Sequence, residues 1–200
     1  MTRFECLQAL APIVKDDDLV VTALGWVAGE WHALRPKESN LYQINMGMCT
    51  PLCLGLSLML PHRRVIALES DGGVLMYMGS IATLANKRPR NMMVIVFDNG
   101  CYLATGGLPT ATGGVTNLAG VAREAGISHA YEVKSLADFE TQARAATARQ
   151  DLTYLVARVD PFGKRMATSM DGKESKYRFV RYIEQSEKIR IINPNAKKLG

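Results

Sequence analysis

Asp71, followed by Gly72 and Gly73, and Asn99, 28 residues further on, are the residues whose types and spacing could do chemistry. Asp71 closes the run Val65-Ile66-Ala67-Leu68-Glu69-Ser70, a short apolar stretch that reads as a buried strand. The two glycines let the backbone approach a ligand, and a helix beginning there would present unpaired N–H groups to an anion. The carboxylate could reach a hard cation beside that anion. A diphosphate with Mg2+ satisfies all three conditions, although Asp-Gly-Gly after a strand is also an ordinary turn. The second half of the signal is the run Met92-Met93-Val94-Ile95-Val96-Phe97, which ends in Asp98-Asn99-Gly100-Cys101-Tyr102. One helix and one strand fit between Asp71 and Asn99, and a right-handed crossover would bring both to the same edge of a sheet. One carboxylate, one amide oxygen and a backbone carbonyl would leave room for phosphate oxygens and water, as octahedral Mg2+ requires.

The elements that must position these residues follow from the hydrophobic pattern. Strand-length apolar runs fall at 19–23, 41–45, 65–68, 92–97, 129–133 and 154–159, and helical periods at 3–14, 27–34, 51–60, 75–86, 117–125, 136–149 and 174–188. Runs such as Val65-Ile66-Ala67-Leu68 are continuously apolar, as in strands buried on both faces. The expected fold is therefore α/β, a three-layer arrangement with a mostly parallel six-stranded sheet flanked by helices, and its ligands should sit beyond the carboxyl ends of the strands. Residues 1–160 read as one domain and 161–200 as a basic helical extension packing on that domain or on a partner. The glycine-rich stretch from Thr105 to Gly114 is a candidate lid.

Composition narrows the classes. With 48% hydrophobic and 22% charged residues and no apolar run of about 20, the chain reads as soluble, without a membrane span. Its first residues lack the pattern of a signal peptide, so a cytoplasmic location is expected. The net charge of +5 is local: residues 163–200 hold ten of the 24 Lys and Arg but only four of the 19 Asp and Glu. The aromatics of that tail stand at helical spacing and form no stacking platform, so no nucleic-acid partner is expected. Cys6, Cys49, Cys53 and Cys101 form no CxxC pair and read as reduced packing residues. His32, His62 and His129 stand singly, with no acid partner visible in the sequence. Glu30 and Glu69 are titratable candidates, and Glu69 reads as a strand-end residue.

With Ser70-Asp71-Gly72 followed by Asp98-Asn99, the chain resembles the thiamine diphosphate enzymes, whose motif is Gly-Asp-Gly followed one βα unit later by an Asn pair. The resemblance implies Asp71, the Asn99 side chain and the Cys101 carbonyl as Mg2+ ligands, with Gly72 and Gly73 offering N–H groups to the diphosphate. It implies Met46 beneath the cofactor as a prop, and the Ile44 carbonyl as acceptor for the aminopyrimidine. Gly25 and Trp26 would meet the diphosphate through the backbone, and Tyr102 belongs to the same cofactor-binding set. The chain departs from the motif at Ser70 and Asp98, and Leu24-Gly25-Trp26-Val27 lacks the hydroxyl side chains that relatives place after the first strand.

A narrower likeness spans almost the whole chain. In order along it, Asp17-Asp18-Leu19-Val20-Val21, Asn45-Met46-Gly47-Met48, Met76-Tyr77-Met78-Gly79, Thr105-Gly106-Gly107 and Lys176-Tyr177-Arg178-Phe179 are similar to the sulfopyruvate and phosphonopyruvate decarboxylases, in their carboxyl-terminal domain or separate beta subunit. This implies decarboxylation of a small 2-oxo acid, with thiamine diphosphate as electron sink. The activating glutamate would come from a separate pyrimidine-binding, alpha-type subunit, in a heterotetramer or larger assembly, and no catalytic residue is expected in this chain. Two alternatives stay open: a subunit of an acetolactate-synthase-like carboligase, and a non-catalytic cofactor-binding regulatory subunit.

Overall fold

The computed structural model describes residues 1–162 and 171–192. Six parallel strands form the central sheet: β1 (Leu19–Ala23), β2 (Asn40–Ile44), β3 (Val65–Ser70), β4 (Met92–Asp98), β7 (His129–Val133) and β8 (Thr153–Arg158). Their order is β2-β1-β3-β4-β8-β7, and two further strands of two residues each, β5 (Cys101–Tyr102) and β6 (Leu108–Pro109), make a small antiparallel hairpin. Residues 19–23 and 92–98 are buried throughout, as strands covered on both faces must be. Helices α1 (Arg3–Leu10), α2 (Trp26–Leu34), α3 (Cys49–Met59), α4 (Asp71–Met76), α5 (Gly79–Lys87), α6 (Leu118–Glu124), α7 (Leu136–Ala148) and α8 (Gly172–Glu187) fill the connections and pack over the sheet. The α/β class with a parallel six-stranded sheet is as expected from the sequence. No helix among the described residues is long and apolar enough to cross a membrane.

The single helical period over 75–86 resolves into two helices. α4 begins immediately at Asp71, because the Ser70 side chain accepts from the Gly73 N–H as an N-cap, and it stops where Tyr77 leaves helical geometry (φ −132°, ψ 43°) before α5 restarts at Gly79. The first helix also ends sooner than its pattern, at Leu10.

Strand order decides where a ligand can go. β1 is followed by β2 on one side and β3 on the other, so the chain reverses its winding between β1 and β3 and leaves a crevice at their carboxyl ends. At that end β2 kinks: Gln43 stands in left-handed geometry (φ 59°), and the β1–β2 register shifts between Val21 and Ala23. Basic side chains collect at the opposite end of the sheet, where they cap carbonyls. Arg63 donates to Asp17 O, Arg64 to Thr147 O in the last turn of α7, and Arg90 to Gln150 O. Cations at helix carboxyl ends complement the helix dipole.

α8 docks on β2. Phe179 and Ile183 enter the core, Ser175 Oγ accepts from Tyr42 N at 2.9 Å, and Arg63 donates to both Glu187 Oε1 and Tyr182 Oη at 2.7 Å. Phe179→Ala should therefore cost about 3 kcal/mol, at the lower end for truncating a buried Phe. Urea unfolding should register this loss, and hydrogen exchange should show it concentrated in α8 and β2.

Candidate functional site

The crevice between β1 and β3 holds a cavity of about 160 Å3, lined by Gly25, Trp26, Met46, Asp71, Gly72, Asn99, Cys101 and Tyr102 together with Arg3, Leu24, Ser70 and residues 103–105. Eight of the ten expected cofactor-site residues thus converge. The other two, Ile44 and Gly73, stand just behind this lining: the Ile44 carbonyl accepts from Leu24 N at 2.8 Å, and the Gly73 N–H donates to Ser70 Oγ at 3.2 Å. Larger cavities lie elsewhere, including one of about 820 Å3 between α8 and β2 whose lining includes Ile44 but none of the other nine. The volume at the crevice falls below the roughly 300–1,000 Å3 of typical small-molecule sites.

Each wall follows from local sequence. Gly25 takes φ +102°, a geometry side chains resist, and starts α2 with no side-chain cap, which turns the first turn of that nine-residue helix toward the crevice. A Cβ on Gly72 would overlap the Tyr102 ring, so glycine there lets the aromatic close over the start of α4. Asn99 Oδ1 accepts from Cys101 N at 3.1 Å, folding the turn after β4 that brings both residues to the cavity.

The electrostatics centre on two buried carboxylates. Asp71 is 1% and Asp98 2% exposed. Thr110 Oγ1 and Thr112 Oγ1 donate to Asp71 Oδ2 at 2.7 and 3.0 Å, and Thr112 Oγ1 lies 2.7 Å from Asp98 Oδ1. Arg158 completes the network, with Nη1 2.6 Å from Asp98 Oδ2 and 3.1 Å from the Thr112 carbonyl. Asp98 thus has a cation, whereas no ion pair reaches Asp71 among the described residues. Burial pushes the Asp71 carboxyl above the usual range; the Asp98 charge adds to this, while the threonine hydrogen bonds oppose it. A buried carboxylate with no counter-charge, beside an amide oxygen and a turn of carbonyls, is a donor set suited to a hard divalent cation. No group of three or more His, Cys, Asp or Glu side chains that could hold a metal ion gathers among the described residues, so a cation here would rely on the amide and carbonyl oxygens beside Asp71.

Four participants had escaped sequence reasoning. Thr110 and Thr112 were visible only as part of a glycine-rich loop, which proves to be tied down onto Asp71 rather than left open. Arg158 stands in register with Asp98 across β4 and β8, a signal that strand order would have supplied. Arg3 lines the cavity and binds Glu30, itself fully buried, through two contacts of 2.7 and 2.8 Å, with its guanidinium 5.9 Å from the Trp26 ring centre. Glu30 is thereby accounted for as an ion-pair partner. The expectation that the histidines lack acid partners is corrected: His62 lies 2.9 Å from Glu187 and His129 3.3 Å from Asp151, contacts that link distant segments, and none of the three lines the crevice. Cys6, Cys49 and Cys53 are buried free thiols; Cys101 reaches the cavity, its thiol pushed up by burial and by the Asp71 charge.

Residues 22–157 match the thiamine pyrophosphate enzyme family in its C-terminal TPP binding domain, a span that contains every expected site residue. The chain belongs to this family. Among curated relatives it is 27% identical over 186 residues to the sulfopyruvate decarboxylase subunit beta of Methanocaldococcus jannaschii, covering 92% of this chain and 98% of that one. It is 31% identical over 187 residues to the sulfopyruvate decarboxylase of Methanosarcina acetivorans, covering 92% of this chain but 48% of that protein. The crystal structure of benzoylformate decarboxylase from Polynucleobacter necessarius superposes with a TM-score of 0.66 at 15% identity, over 83% of this chain and 34% of that one, a likeness of fold. Within the family pattern, both motif departures have structural partners: Ser70 caps α4, and Asp98 is neutralised by Arg158.

Arg158→Met leaves Asp98 buried and unpaired, and should cost about 3 kcal/mol, the lower end for breaking such a pair because Arg158 itself is 35% exposed. Adding Asp98→Asn should restore most of that stability. Urea unfolding of the two single variants and the double variant measures the coupling.

Proposed function

We propose that this chain is the diphosphate- and Mg2+-binding subunit of a two-subunit, thiamine diphosphate-dependent 2-oxo acid decarboxylase of the sulfopyruvate decarboxylase type. The observation that carries the reading is Asp71, buried without a cation beside Asn99 in a family cofactor domain, within a chain that spans nearly the whole length of a beta subunit. The Asp71 carboxylate, the Asn99 side chain and the Cys101 carbonyl would hold Mg2+. Gly25 and Trp26 at the start of α2, with Gly72 and Gly73 at the start of α4, would receive the diphosphate. Met46 would support the cofactor from below, the Ile44 carbonyl would accept from its aminopyrimidine with the lone pair not used by Leu24, and Tyr102 would close one side. When bound, the cofactor supplies the electron sink for loss of carbon dioxide from a small 2-oxo acid. The chain's own groups bind, orient and neutralise: the metal answers the charge of Asp71, and Thr110 and Thr112 hold its carboxylate in place.

The likeness to a beta subunit supports a separate pyrimidine-binding, alpha-type subunit as partner, which would supply the activating glutamate, in a cytoplasmic heterotetramer or larger assembly. Two features support this. The relative from Methanosarcina is about twice the length that the present chain covers, as a fusion of two such halves would be. Leu24 on the cavity wall, and Met48, Met76, Tyr77 and Met78 in the turns flanking it, are exposed large apolar side chains, a rim suited to a covering chain. In this reading 161–200 is a basic helical extension that packs on the 1–160 domain or on the partner; residues 163–170 and 193–200 of it lie outside the described residues.

The reading is tested by combining the chain with its partner subunit and supplying sulfopyruvate, thiamine diphosphate and Mg2+. Carbon dioxide and the corresponding aldehyde should appear, and omission of either subunit, of the cofactor or of the metal should abolish turnover. Asp71→Asn should weaken Mg2+-dependent cofactor binding by roughly 100-fold, on the order of 2.7 kcal/mol. A longer ketol as the main product would replace decarboxylation by carboligation, and an assembled complex that binds no cofactor would defeat the assignment altogether.

A further inference from the structure

Beneath the crevice lies a polar group that metal and diphosphate binding leave unused. Glu69, two residues before Asp71 on β3, is 0% exposed. Its Oε1 accepts from Thr50 N at 2.9 Å and from Thr50 Oγ1 at 3.2 Å, while its Oε2 has no hydrogen-bond partner among the described residues. Burying a carboxyl group is expensive unless its bonds do something for the fold around it. What these bonds hold is specific. Thr50 lies in the first turn of α3, directly after the turn Asn45-Met46-Gly47-Met48, whereas Glu69 itself runs straight into Asp71.

The two segments also meet through glycine backbone. A Cβ placed on Gly73 would stand 3.0 Å from Glu69 Oε2, 3.1 Å from Ser70 Oγ and 3.3 Å from Gly47 N. One placed on Gly47, whose φ is +79°, would stand 3.0 Å from Gly73 O and would overlap the Tyr77 ring. The turn carrying Met46 therefore rests on the first turn of α4 with no side chain between them, and the Glu69 carboxyl lies against that contact. Glu69 does not line the cavity, so it touches no reactant.

We propose that Glu69 is a positioning residue: through Thr50 it locks the Ile44–Met48 turn onto the helix that begins at Asp71, so that the two halves of the cofactor cradle keep a fixed spacing. The proposal rests on the cofactor-binding role above, and deepens it. Thiamine diphosphate must satisfy the metal and diphosphate end near Asp71 and the ring end above Met46 together, so a small shift between the two turns weakens it. Inorganic diphosphate with Mg2+ engages only the Asp71 end, and is indifferent to that spacing. A residue that merely supported the fold would affect both ligands alike.

The assembled complex with its partner subunit provides the test, by calorimetric titration with thiamine diphosphate and, separately, with inorganic diphosphate, each with Mg2+. Glu69→Met, of similar volume but without an acceptor, should weaken thiamine diphosphate by roughly tenfold, about 1.4 kcal/mol, and leave inorganic diphosphate within about twofold. Glu69→Gln keeps an oxygen for Thr50 and should stay within about threefold of the parent for both ligands. Thr50→Val, which removes only the hydroxyl donor, should reproduce the same selectivity at smaller size, and gives an answer if Glu69→Met does not fold. Equal weakening of both ligands, or none, in the variants that fold would overturn the positioning role. A parent complex that binds inorganic diphosphate but not thiamine diphosphate, or neither, would instead remove the cofactor reading beneath it.

Discussion

Asp71 is a carboxylate buried at the end of a parallel strand with no cationic side chain to answer it among the described residues, and the arrangement of the crevice follows from that condition. An ionised carboxylate in such surroundings is costly unless charge or hydrogen bonds compensate it. The fold supplies two hydroxyls, from Thr110 and Thr112, and no counter-charge. The contrast with Asp98 is informative, because the same network gives that carboxylate an arginine. One acid in the pair is neutralised internally and the other faces a cavity in which the cationic side chain on the lining, Arg3, is itself paired with Glu30. A site built this way is short of one positive charge.

The loop from Thr105 to Gly114 gains its meaning from the same charge. Its glycines permit tight turns, but its threonines anchor it, and Thr112 bridges the two carboxylates while its carbonyl accepts from Arg158. Strand β8 is thus tied to the Asp71 end of the crevice through a residue whose own role is to neutralise Asp98. The departures at positions 70 and 98 act as local solutions of this kind: a hydroxyl that caps a short helix, and an acid that carries its own arginine. The absence of hydroxyl side chains after β1 has no comparable substitute beyond the uncapped start of α2 at Gly25.

Much of this was legible in the sequence because it is local. Continuous apolar runs located all six strands of the main sheet, and the 28-residue spacing of Asp71 and Asn99 was enough to bring them to the same edge of that sheet, after β3 and β4, which pair directly. What escaped was long-range or depended on single backbone angles. The bonds from Thr110 and Thr112 to Asp71 span 39 and 41 residues, and that from Arg158 to Asp98 spans 60, so no window of sequence contains both partners. The break at Tyr77 interrupts a helical period that continues on either side, which periodicity cannot register. Glu69 is the strand-end residue that the sequence suggests, but its partner Thr50 lies 19 residues earlier, on α3, where the strand pattern gives no sign of it.

The incompleteness of the crevice is physical as well as chemical. Its lining comes from Arg3 and from the segments that follow β1, β2, β3 and β4, with Leu24 exposed on its wall, and further apolar side chains, Met48, Met76, Tyr77 and Met78, are exposed where α3 begins and where α4 gives way to α5. Apolar surface of this kind is stabilised when a second body covers it, and covering would also exclude water from around Asp71, strengthening every electrostatic contact there. The same act would therefore complete the cavity and raise the worth of a cation at Asp71. In the proposed assembly, subunit docking and metal–cofactor binding are then coupled by linkage, each favouring the other, whether the two halves are separate chains or joined in one.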